Sequence, residues 1–62
     1  MSSMEEFEME KRRKALDRDV ISLIDKYMQA MEWDVPDVNA AKAKRLILDE
    51  IKLAITRIES EL

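Results

Sequence analysis

The sequence contains no glycine, no cysteine and no histidine, and its only proline is Pro36. Because glycine is missing, this proline is the one residue that readily interrupts a helix. The absence of cysteine and histidine excludes disulfides and the common zinc sites. It also removes the most frequent general base and one of the best nucleophiles. We therefore predict a protein that is not an enzyme, with no catalytic residues, no metal site and no cofactor.

Charge and hydropathy narrow the class of protein further. Charged residues make up 40% of the chain, and the formal net charge is -3. This balance suits a soluble intracellular protein and argues against nucleic acid as the main ligand. No stretch approaches the ~20 apolar residues that cross a bilayer, and the first six residues are acidic where a secretion signal is basic. We expect a cytoplasmic protein without a membrane contact.

The first half of the chain has the pattern of one long helix, from about residue 3 to about residue 33. Ser3 followed three residues later by Glu6 fits a capping box at its start. Apolar residues alternate four and three positions apart, as in the heptad seam of a coiled coil, and a second apolar row lies beside them. The first row is Leu16, Val20, Leu23, Tyr27 and Ala30, and the second is Ile21, Ile24, Met28 and Met31. Together they cover about half of the helix circumference.

The break lies at residues 34–37. Pro36 disfavours the helical conformation of Val35, and Asp37 is a good N-cap for a second helix over about 38–61. Asp34 capping a helix whose first turn contains Pro36 is the competing possibility. In either case the connection is short, so the two helices are expected to be antiparallel neighbours.

The second helix repeats the apolar pattern, with Lys44 interrupting its seam. Folding the chain about residue 35 places Leu23 opposite Ile47 and Tyr27 next to Lys44. Two helices of this size leave a broad apolar stripe uncovered. Small helical scaffolds are usually stabilised by oligomerisation. We predict an all-α antiparallel hairpin that assembles into a four-helix bundle as a homodimer. The predicted self-association core is Leu16, Val20, Leu23, Ile24, Tyr27, Met31, Ile47, Ile51, Ile55 and Ile58.

Two further leucines, Leu46 and Leu53, are predicted to point almost directly away from this seam, between charged residues. Exposed leucines on a charged helix face can mark a contact surface, although scattered surface leucines need no explanation. Because the hairpin already needs a partner, we expect Leu46 and Leu53 to form a partner surface. Self-association is the favoured form of that contact, and another protein is the alternative.

The one basic cluster suggests an anion contact. It comprises Lys11, Arg12, Arg13, Lys14 and Arg18. In a helix these side chains spread around the axis, Glu8 precedes Arg12 at ion-pair spacing, and no aromatic residues are interleaved for base stacking. We expect a solvated, ion-paired helix face rather than a nucleic-acid site.

The expected function is a small protein–protein interaction module, acting as a regulator, adaptor or assembly factor through helix faces. Two alternatives stay open. One is a nucleic-acid-associated regulator that uses the basic segment of the first helix. The other is a structural subunit of a viral or multi-protein assembly, which would show open or higher-order association.

Overall fold

A computed structural model of the protein describes residues 3–62, which form two helices in contact with each other and contain no strand. Helix α1 spans Met4–Asp34 and helix α2 spans Ala40–Glu59. Five linker residues, 35–39, connect them, so the chain turns back on itself as a hairpin. The prediction of an all-helical chain with one break is confirmed. Within the described residues, neither helix is long and apolar enough to cross a membrane.

Helix α1 begins at the predicted cap. The Ser3 side chain accepts a hydrogen bond from the backbone N–H of Glu6 at 3.1 Å, which satisfies one of the donors that a helix start leaves free. Glu5 and Glu6 lie in the first turn, where their charge favours the positive end of the helix. The helix ends at Asp34, and the N–H of Val35 donates to the Met31 carbonyl at 2.9 Å. Pro36 has no N–H, so the series of helical hydrogen bonds ends there.

Helix α2 begins two residues later than predicted, and its cap is Asn39 rather than Asp37 or Asp34. The Asn39 side chain accepts from the N–H of Lys42 at 3.1 Å. Asp37 instead lies in the turn. Val38 and Ala43 explain why the helix begins here. Val38 immediately precedes the cap, and Ala43 is the fourth residue of the helix. A hydrophobic pair at these positions fixes how the chain enters a helix, and here Ala43 is buried and Val38 half-buried.

The core is small and lies in the half of the hairpin next to the turn. Its buried residues are Ile24, Ala43 and Ile47. Half-buried residues surround them, namely Met28, Met31, Val38, Leu48, Ile51 and Ala54. Helix α1 therefore packs through its second apolar row and not through the heptad row that was expected to form the seam. Leu23 and Tyr27 of the heptad row are exposed in the single chain.

The half of the hairpin farther from the turn is open. Residues 3–23 are all exposed, as are residues 55–62. Helix α1 has 31 residues and α2 has 20, so α2 is too short to run along the first turns of α1. The radius of gyration is 15.3 Å, against about 10.6 Å for a compact domain of this length. A single chain is therefore an elongated hairpin with a core at one end.

Candidate interaction surface

An open groove of about 620 Å³ runs along one side of the hairpin, between the two helices. Most of its wall is apolar, and three charged residues lie among the apolar ones. Helix α1 contributes Leu23, Tyr27, Ala30, Met31 and Asp34, and helix α2 contributes Leu46, Ile47, Glu50, Ile51, Ala54 and Arg57. We call this set the groove. A concave apolar wall made by two helices is the kind of surface that receives a partner helix.

The α1 wall of the groove continues the heptad row of the sequence. Leu23 is 40% exposed and Tyr27 is 49% exposed, although both belong to the most regular apolar row of the helix. Leu16 and Val20 lie on the same helix face at the expected four-residue and three-residue steps and are exposed as well. Lys26 places its ammonium 5.6 Å from the centre of the Tyr27 ring, a cation–π contact that leaves most of this row free.

The α2 wall corrects the position predicted for Leu46. This residue was expected on the back of the helix, whereas the structure places it in the groove beside Ile47. The reason is the rotation of α2, which turns Ala43 and Ile47 toward α1 and thereby brings Leu46 to the edge of the contact. Leu53 lies seven residues on, so it extends the same face of α2, and it is exposed.

The charged residues of the groove are Asp34, Glu50 and Arg57. None of them forms an ion pair within the part of the chain that the structure describes. The two ion pairs found there join Arg12 to Glu8 at 3.3 Å and Arg45 to Asp49 at 2.9 Å. Of these three residues, Glu50 lies at the middle of α2, where Ile47, Ile51 and Ala54 also line the groove. Its carboxylate therefore depends on water for its solvation.

A smaller hollow of about 270 Å³ adjoins the turn. Its lining residues include Met31, Val35, Val38, Ala43 and Leu46. Polar residues at or near the turn, Asp37, Asn39 and Lys42, line it as well. Met31 and Leu46 are shared with the groove, so the two hollows are adjacent parts of one surface. This surface extends from the turn to the middle of the hairpin.

The basic cluster does not converge on one point. All five residues are exposed, and at ~100° per residue Lys11, Lys14 and Arg18 share one side of α1 while Arg12 and Arg13 point elsewhere. The Arg12 guanidinium is held by Glu8. Within residues 3–62, no group of three or more acidic side chains could hold a metal ion.

The ten residues of the predicted self-association core have three different environments in the single chain. Ile24 and Ile47 are buried, Met31 and Ile51 are half-buried, and the others are exposed, namely Leu16, Val20, Leu23, Tyr27, Ile55 and Ile58.

Sequence reasoning missed Ala43 and Glu50. The spacing of Ala43, Ile47 and Glu50 at steps of four and three is a signal that could have located both residues on the face toward α1.

Comparison of the chain with protein-family models, with curated proteins and with solved structures finds no match.

Proposed function

We propose that this protein is a small non-enzymatic protein–protein interaction module that works as a homodimeric four-helix bundle in the cytoplasm. The observation that supports the proposal is the surface area of the single chain. It exposes 5909 Å², whereas a folded monomer of 7.3 kDa exposes about 4,200 Å².

The excess has the size of a stable interface. It amounts to about 1,700 Å² per chain, or about 3,400 Å² for a pair, which lies within the 2,000–5,000 Å² of obligate homodimers. Regularly spaced apolar residues of both helices are among the exposed residues, as a helix–helix interface requires. A second hairpin would supply the two helices that the first lacks.

Recognition of further proteins would then use the helix faces that the bundle leaves outside. Trp33 is the most conspicuous residue of this kind, because it is 90% exposed and lies on the side of α1 opposite Ile24. Tryptophan is among the residues that most often dominate protein–protein binding energy.

The two alternative functions receive less support. Nucleic-acid binding would need a convergent cationic surface, whereas the basic side chains are divided between different sides of α1 and one is paired. An open structural assembly would need two different complementary patches, whereas a single groove favours a closed pair. Stoichiometry separates the open assembly from the proposal. Nucleic-acid binding with a steep salt dependence, lost when Arg12, Arg13 and Arg18 are replaced, would favour the nucleic-acid alternative.

The test is the mass of the folded species. Sedimentation equilibrium and far-ultraviolet circular dichroism, measured on the same samples from low to high micromolar concentration, should show a helical protein of twice the 7.3 kDa chain mass that loses helicity when diluted to dissociation. A cooperatively folded monomer at micromolar concentration would contradict the proposal. Masses that keep growing with concentration would favour the structural subunit.

A further inference from the structure

We propose that the groove is the surface on which the second copy packs, and that Glu50 limits the strength of this contact. The inference rests on the proposed self-association and adds which side of the hairpin is covered. Its consequence is unusual for an interface, because removing one charged side chain should strengthen the dimer.

The first reason is the asymmetry of α1. Leu16, Val20, Leu23 and Tyr27 flank the intramolecular contact on the groove side and are all exposed. On the other flank Ile21 is exposed too, but at ~100° per residue its helical neighbours there are Lys14, Arg18 and Asp25. Only the groove side of α1 therefore presents a continuous apolar row.

The second reason is that α2 has a matching row on the same side. Leu46, Glu50, Leu53 and Arg57 follow one another at steps of four, three and four residues, the same spacing as the row of α1. Rows with this spacing pack side by side between helices. Two hairpins that face each other through the groove would thus bring four rows of equal spacing together.

The third reason is the charge of the two helices. Helix α1 carries nine acidic and six basic side chains, a net charge of -3, and α2 carries three acidic and five basic ones, a net charge of +2. Opposite charges on neighbouring helices favour association and like charges oppose it. Since every copy supplies both signs, a second copy of this chain is an electrostatically suitable occupant.

Glu50 is the charged residue at the centre of this surface, whereas Asp34 and Arg57 lie at helix ends. It is a charged residue between Leu46 and Leu53 in the α2 row, and it lines the groove with apolar neighbours. When a partner covers the groove, the carboxylate loses water without gaining a cation from its own chain, and such burial is costly. A polar residue within a helix seam fixes register at a cost in stability, and Glu50, at the middle of α2, fits that role.

The experiment compares Glu50→Leu with Glu59→Leu in the full chain. Both variants exchange the same side chains on the same helix, but Glu59 is exposed near the end of α2 and is not part of the groove. The dissociation constant of each dimer is measured by sedimentation equilibrium at one pH and salt concentration. We expect Glu50→Leu to tighten the dimer at least tenfold and Glu59→Leu to leave it within about threefold of the wild type.

The outcomes separate this inference from the proposed function. A wild-type dimer whose affinity changes equally, or not at all, in the two variants would overturn the groove as the interface while leaving self-association in place. A folded wild-type monomer would overturn the proposed function itself, and the inference with it. A weaker dimer in Glu50→Leu would also contradict the inference, because it would mean that the carboxylate has a favourable partner.

Discussion

The half of the hairpin near the turn and the half far from it contain similar apolar residues and bury them very differently. Near the turn, Ile24 and Ile47 are each 7% exposed. Far from it, Leu16 and Ile58 belong to the same kinds of rows and remain exposed. The difference teaches that regular spacing of apolar residues does not by itself tell which of them a single chain buries.

The largest expected effect tests this contrast directly, with the same substitution in each half. Ile47→Asp places a charge in the small core, and an uncompensated buried charge costs about 3–5 kcal/mol. A marginally stable chain of this size cannot absorb that cost. We expect loss of helicity by circular dichroism and loss of the dimer by sedimentation.

The matched control is Ile58→Asp, which lies eleven residues farther along α2 on nearly the same face. Its side chain is 61% exposed, so the variant should stay helical at high micromolar concentration. If Ile58→Asp unfolds the protein as completely as Ile47→Asp does, the two halves are equally buried in solution, and the contrast between them disappears on assembly.

An intermediate effect is expected from the groove. Replacing both Leu46 and Leu53 by glutamate removes two exposed leucines from the α2 row and leaves the three buried residues untouched. Burying a leucine contributes about 1.5–3 kcal/mol, so the dissociation constant should rise at least about a hundredfold. Helicity should persist at high protein concentration.

Leu62→Glu provides the comparison, because Leu62 is fully exposed and lies beyond the end of α2. This variant should associate like the wild type. Unchanged assembly of the Leu46→Glu, Leu53→Glu double variant would show that these leucines are not a self-contact.

Local features of the fold could be predicted from the sequence because they depend on neighbouring residues. The break at Pro36 and the cap at Ser3 follow from the chemistry of one or two side chains. The row that α1 buries could not be predicted in the same way. Ile24 and Leu23 both lie within an apolar arc that covers about half of the helix, and the rotation of α1 within that arc is decided by packing against Ala43 and Ile47. Sequence spacing ranked the heptad row first, whereas the single chain buries the row beside it.

The groove shows the same limit for a candidate interaction surface. The heptad row of α1 was recognised from spacing alone, and the structure places part of it on the groove wall. Leu46 was placed on the wrong side of α2 because the assumed seam put Ile47 and Ile51 at its centre, whereas Ala43 and Ile47 are the most buried residues. A rotation of a few tens of degrees is enough to move a flanking leucine from the back of a helix to the edge of a contact.

The smallest expected effect concerns the start of α2, where Asn39 and Asp37 are the two candidates for the N-cap. Asn39→Ala removes the side chain that accepts from the Lys42 N–H, and loss of such a cap costs about 1 kcal/mol. The melting temperature should fall by about 4–8 °C for a domain of this size. Asp37→Ala, two residues earlier in the turn, should stay within about 0.5 kcal/mol of the wild type.

Thermal melts at one fixed protein concentration are required, since dissociation makes the midpoint depend on concentration. A larger loss in Asp37→Ala than in Asn39→Ala would mean that α2 starts earlier in solution, with Val38 inside the helix.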